Sequence, residues 1–218
     1  MNSTELLTLL RTEIKDDVEP YMMGDAVLYS YLDDAQSMFC RLTEGIEDSR
    51  TAGITDLSVV SGTAWYPISK LILKLRSVTR LADGAVIEVV NSEMAHKKGL
   101  RFDAKVGPLA CFVTGLQKNE LRAWPIPNQD AEFTLSVFRL PLVPITDVGD
   151  QEMEIDAQHH RHLLNWVKRL VYDNHDTELF DRRRSDEYGQ RFEAYCARAR
   201  VEQERGRRTV GTVLYGGI

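Results

Sequence analysis

The sequence predicts an α+β protein: a helical bundle built from the N- and C-terminal helices, with an antiparallel β-rich module inserted between them. Three observations carry this. Apolar residues recur at helical spacing near both ends, side chains alternate with a period of two through the middle, and turn residues interrupt the middle at short intervals. The expected divisions are an N-terminal helical hairpin over 1–50, the β module over 51–155, C-terminal helices over 156–205 packing on the N-terminal ones, and an extended tail over 206–218.

Leu6, Leu7, Leu10 and Ile14 form the buried stripe of a first helix, capped by Ser3 or Thr4 and stopped by Pro20. Asp25 is placed to cap a second, whose stripe is Leu28, Tyr31, Leu32, Ala35, Phe39 and Leu42. Asp33, Asp34 and Gln36 fall on its opposite face, read as solvated. The connection "VEPYMMG" is short enough for a helical hairpin.

After Gly45 the pattern changes to strands in "ITDLSVV", "AWYPI" and "LILKLRSVTRL", with "ADG" turning into "AVIEVV". "NSEMAHKKG" reads as a short helix ending at Gly99, followed by strands in "LACFVTG", "ELRAWPIP" and the cleanly alternating "EFTLSVFRLPL". Pro67, Pro125, Pro127, Pro141 and Pro144 fit strand ends or edges. Helical spacing returns over Ala157 to Asp173, and a last helix starts near Asp181 with an apolar seam of Tyr188, Phe192, Tyr195 and Ala199. "RGRRTVGTVLYGGI" has no buried stripe and reads as a tail ordered by a partner.

A chain of 218 residues buries a core without disulfides or structural metal. Cys40, Cys111 and Cys196 match no disulfide or metal spacing and read as reduced thiols. Charges break the N-terminal apolar run, so it is an amphipathic helix and not a secretory signal, and no apolar run reaches the roughly 18 residues of a membrane span. The expectation is a soluble protein made in a cytosol. Residues 1–60 carry 4 basic and 12 acidic side chains, a net of −8, whereas 181–208 carry 9 and 6, a net of +3. Such unevenness suggests different partners at the two ends.

The cluster His159, His160, His162 raises the question of a metal. Only His159 and His162 can reach one ion from a single helix, and no H-E-x-x-H or neighbouring cysteine completes a site. Helical phase places His160 near the centre of the face formed by Leu163, Leu164, Val167 and Val171, pointing inward, with His162 pointing away. The cluster therefore reads as a capped helix start with one half-buried histidine, and no metal, cofactor or catalytic residue is assigned. G-x-S-x-G, Walker and G-x-G-x-x-G patterns are missing, and the adjacent Asp33 and Asp34 diverge by about 100° on a helix, so they do not share one proton. The arginines at 182–184 and 205–208 are candidates for binding nucleic-acid phosphates, although Asp181, Asp186 and Glu187 offer the first cluster local pairing. A DNA-binding module using these clusters is the alternative function.

Four stretches, in order, resemble one family across most of residues 5–195: "PYMMGDAVLYSYLDDAQSMFC", "DSRTAGITDLSVVSGTAWYPISKLILKLRSV", "LRAWPIPNQDAEFTLSVFRLPL" and "EIDAQHHRHLLNWVKRLVYDNHDTELFDRRRSDEYGQRF". The chain is similar to the head-to-tail adaptor (connector) proteins of tailed bacteriophages. Asp25, Tyr31, Leu32, Ala35 and Gln36 fit the family's second helix, Gly62, Thr63, Tyr66 and Pro67 its strand-turn-strand, and Pro125, Pro127, Arg139, Leu140 and Pro141 its later strands. His160, Leu163 and Trp166 fit its next helix. Met23 stands where an aromatic is usual, Asp156 replaces a usual proline and His159 a usual aromatic.

The resemblance implies a non-enzymatic virion protein at the head–tail junction, made in the host bacterial cytoplasm. It implies a self-assembled ring of about twelve copies beneath the portal protein. The helical layer would pack between neighbours and the β module would face a tail or nozzle protein, with DNA passing through without specific binding. Arg205, Arg207, Arg208, Val210, Val213, Leu214 and Tyr215 are the expected portal or neighbour interface.

Overall fold

The computed structural model describes residues 1–102, 105–146, 150–175 and 177–207. The chain begins with helices α1 (Ser3–Ile14) and α2 (Asp25–Thr43). The middle holds β1 (Ile46–Asp48), β2 (Asp56–Val59), β3 (Trp65–Pro67), β4 (Ile72–Arg80), β5 (Val86–Asn91), α3 (Ser92–Lys97) and β6 (Val106–Gly107). It continues with β7 (Cys111–Thr114), β8 (Glu120–Trp124), β9 (Ile126–Pro127) and β10 (Ala131–Arg139). Helices α4 (Ala157–Asp173) and α5 (Arg182–Arg207) follow. Two compact units result: a helical unit of residues 1–43 with those from 143 onward, and a β unit of Glu44–Leu142. The α+β class is as the sequence predicts.

In the helical unit α1 is capped by Asn2, one residue before the caps expected. The Asn2 side chain accepts from the Glu5 amide at 2.8 Å and the Glu5 carboxylate accepts from the Asn2 amide at 3.1 Å, a reciprocal capping box. Ser3 is buried instead, its hydroxyl accepting from the Gln151 amide at 3.1 Å. Asp25 is the first helical residue of α2 and not its cap, since Gly24 O already accepts from the Val27 and Leu28 amides.

The polar face of α2 is solvated only in part, with Asp34 exposed as expected but Gln36 buried and Asp33 half-buried. Gln36 is buried and donates to Asp33 at 2.9 Å, and Asp33 also accepts from the Ile145 amide at 2.8 Å. Asp34 accepts from the Trp166 indole at 2.7 Å. Helix α5 runs antiparallel to α4, with Tyr195 beside His159 and His162 and Tyr188 stacked on Tyr172. Its buried seam is Ser185, Gly189, Phe192, Cys196 and Ala199, with the two tyrosines displaced to its flanks. Small side chains let the helices approach: a Cβ on Gly189 would lie 3.1 Å from Arg169 Cδ. Helix α5 also includes Gly206 and Arg207, assigned above to the tail.

In the β unit the sheet order is β1-β10-β4-β5-β7-β8-β3, with β2 also paired to β10. The nine-residue β10 organises it, pairing along one edge with β4 and along the other with β2 at its start and β1 at its end. The sheet is mixed, not wholly antiparallel. β5 and β7 run parallel because the intervening chain, which includes α3, makes a crossover, and the short β6–β9 pair is parallel too. The core gathers Val78, Phe112, Leu121, Phe133, Leu135 and Val137, with Phe112 and Phe133 edge-to-face at 5.6 Å. Alternation in β10 fails after Ser136, where the register with β4 shifts, so Val137, Phe138 and Arg139 are all buried. Gly45 has φ +92°, and a Cβ there would meet Arg139 O at 2.6 Å, so this position admits only glycine without rearrangement.

Candidate functional site

The singled-out residues of the helical unit act as braces. Gln36 spans from Asp33 to Val143 O at 3.5 Å, and Trp166 anchors on the neighbouring Asp34 while its ring lies 5.2 Å from Phe192. Together they fasten α2 to α4 and to the chain that precedes it. Tyr31 is half-buried. Asp25 pairs with Arg11, a buried guanidinium that also holds Asp16 at 2.7 Å and donates to Met23 O at 2.9 Å. Reasoning from the sequence missed this cluster, although a signal existed: Arg11 sits four after Leu7 and three before Ile14, inside the apolar stripe. Lys168, four after Leu164, is likewise buried, and pairs with Glu13.

The histidines divide differently from the expectation. His160 points inward, is 3% exposed and bonds Ile155 O through Nε2 at 2.6 Å. His159 is buried as well, at 5% exposed: its Nδ1 lies 2.8 Å from the Tyr195 hydroxyl and its ring 4.8 Å from Phe39. It fills the place where the resembling family carries an aromatic. His162 does not point away but stacks on Tyr195 at 3.6 Å. Burial lowers the pKa of both His159 and His162, with Arg198 and Arg161 adding to the effect at His162. Among the described residues no group of three or more His, Cys, Asp or Glu side chains is placed to hold a metal ion. Asp156 is the α4 N-cap by position, without a side-chain cap bond.

In the β unit, the hydroxyl of buried Tyr66 lies 2.9 Å from Val60 O and 2.7 Å from Thr63 O, closing the β2–β3 turn, and burial pushes its phenol pKa up. Pro67 ends β3, opposite Glu120. Arg139 pairs with Asp48 at 2.5 Å, both side chains 8% exposed. Burial alone would raise the Asp48 carboxyl, but bonds from Arg50, Thr51 and Arg139 hold it well below the usual carboxylate range. A cleft of about 390 Å³ lies beside β10, lined by Arg80, Asp83, Asp130 and Phe133 among others.

Of the expected interface set, Arg205 and Arg207 lie on the last turn of α5, whereas Arg208, Val210, Val213, Leu214 and Tyr215 lie outside the described residues. The arginines at the start of α5 are largely engaged: Arg182 with Asp173 at 2.7 Å and Asp186 at 3.4 Å, and Arg184 with Asp181 at 3.4 Å. The three cysteines are free and buried, and burial, with Glu193 nearby, pushes the Cys196 thiol up to about 12. No helix among the described residues is long and apolar enough to cross a membrane.

No curated protein matches the chain significantly. The family described as SU10 adaptor protein matches residues 1–214, from before α1 to beyond the end of α5. The chain belongs to the SU10 adaptor protein family, and is a bacteriophage virion structural protein of the head–tail adaptor kind.

Proposed function

We propose that the protein turns over no substrate and works as a ring of about twelve copies seated beneath the portal. The ring joins head to tail and continues the DNA channel. The observation that carries this is the family match along residues 1–214, which covers both units and not one motif. The helical unit packs between neighbours and the β unit faces a tail or nozzle protein. Acidic side chains that are not used between subunits face the channel, so that passing phosphates are not held. The ion pairs of Arg182 and Arg184 favour this reading over DNA binding by the first arginine cluster. Arg205 and Arg207 lead into a tail, with Val210, Val213, Leu214 and Tyr215, that adds to the portal or to a neighbouring subunit as a strand.

Mass photometry of the chain mixed with the portal ring of the same phage tests the role. Mass added at one subunit per portal subunit is the expected result. Two species that stay separate across several salt concentrations overturn it, and a mobility shift on duplex DNA would then favour the nucleic-acid reading.

A further inference from the structure

The α1–α2 loop is held in one shape by buried charge. Arg11 binds Asp16, Asp25 and Met23 O, and its guanidinium lies 3.8 Å over the Tyr21 ring. Asp16 in turn accepts from the amides of Met22 at 2.7 Å and Met23 at 3.3 Å. The side chains this loop turns to solvent are Asp17, Val18, Glu19, Tyr21 and Met22, with Val18 75% exposed. A fixed loop that shows acids and large apolar groups together is preorganised for docking, because its ordering entropy is already lost on folding.

The outward face of α5 has the matching chemistry. Opposite the buried seam lie Ala194, Ala197 and the 45% exposed Val201, small groups that leave a shallow track. Arg191, Arg198 and Arg205 follow one another at seven-residue intervals along it. Seven residues fall only about 20° short of two full turns, so the three guanidiniums form a row about 10.5 Å apart. Arg191 pairs with Glu187 at 2.5 Å, whereas Arg198 and Arg205 have no carboxylate partner among the described residues.

Loop and track lie at opposite ends of the helical unit. Asp34 meets Trp166 and Phe39 meets His159, so α2 is antiparallel to α4 and the loop sits by the α4 C-terminus. Tyr195 meets His159 and His162, so the track starts near the α4 N-terminus and runs on past it. One copy cannot cover its own track with its own loop, which is the requirement for a heterologous contact that propagates around a ring.

We infer that the α1–α2 loop of one copy docks on the outer face of α5 of a second copy. Asp17 and Glu19 meet Arg198 and Arg205, and Val18 and Met22 rest on Ala194, Ala197 and Val201. The inference rests on the ring reading above and names the contact that builds the ring.

Charge exchange tests it. Arg198→Glu with Arg205→Glu, and separately Asp17→Arg with Glu19→Arg, are each expected to lower subunit loading on the portal at least about tenfold, with circular dichroism unchanged. A chain carrying all four changes is expected to recover most of that loading, since opposite charges again face each other. Reversals without effect, or a fourfold variant that stays folded but does not recover, overturn the contact while wild-type loading upholds the adaptor role. Loss of duplex-DNA binding in the arginine variant with loading intact overturns it in favour of a nucleic-acid face. A wild-type chain that neither loads nor self-associates overturns both readings.

Discussion

Two buried ionisable residues contribute to the protein's response to pH in the same direction, His159 and Asp48. His159 titrates below its ordinary value near 6.5 because burial disfavours its cation. The unfolded chain therefore binds the proton first, so stability is complete above that value and falls as the pH drops below it. Asp48, held below the usual carboxylate range, adds stability that is present at neutral pH and lost only under strong acid. Thermal melts from pH 8 to 5 should show Tm declining below about 6.5, and His159→Phe should flatten the decline by placing an apolar ring against Phe39 and Tyr195. Asp48→Ala should cost about 1–3 kcal/mol, read by urea unfolding, because it removes the carboxylate that Arg139 and the Thr51 hydroxyl both bond. Helical phase revealed His160 but not His159, since His159 is buried by Tyr195 and Phe39 from two other helices. A burial created by tertiary neighbours leaves no mark on local periodicity. The same holds for the half-buried Asp33 and the buried Gln36, whose spacing says solvent while their partners Ile145 and Val143 come from more than 100 residues away.

Elements strong enough to stand by their own pattern were legible, and those made by pairing were not. α4 occupies the residues its spacing predicts, and the strands at β2, β3, β4, β5, β7, β8 and β10 coincide with the alternating stretches. β1 and β6, of two or three residues, carry too short a pattern to read, "ELRAWPIP" divides into β8 and β9, and β5–β7 parallel pairing depends on where a crossover deposits the chain. In α5 the tyrosine-based seam was misplaced because Ser185, Gly189 and Cys196 bury as effectively as large residues where helices approach closely. Phe192 is the one large apolar side chain in that seam, fully buried against Trp166, so Phe192→Ala should cost about 3–5 kcal/mol of stability in denaturant unfolding. Gly45→Ala should destabilise the β unit by the opposite route, strain at positive φ plus a clash with Arg139 O, and hydrogen exchange should show earlier opening of β1 and the end of β10.

For the whole molecule, the family match makes assembly the property that counts, and the tail is where fold and assembly should separate. A chain ending at Arg207 keeps every described brace, so its melting temperature should stay within about 2 °C of wild type, as surface changes do. Portal loading by the same chain should fall, and unchanged loading would remove the tail from the interface. The β unit has a further property. Its first and last strands are partners, with Ile46 opposite Arg139 and Asp48 opposite Val137, so the chain enters and leaves this unit side by side. Tension applied through those two ends peels β1 from β10 one rung at a time, where strands loaded along their length would share the force among all rungs. The Asp48–Arg139 pair bridges the same two strands and acts as a clasp at the point of peeling. The unit is thus loaded first at its attachment, at the β1–β10 rungs that this ion pair bridges.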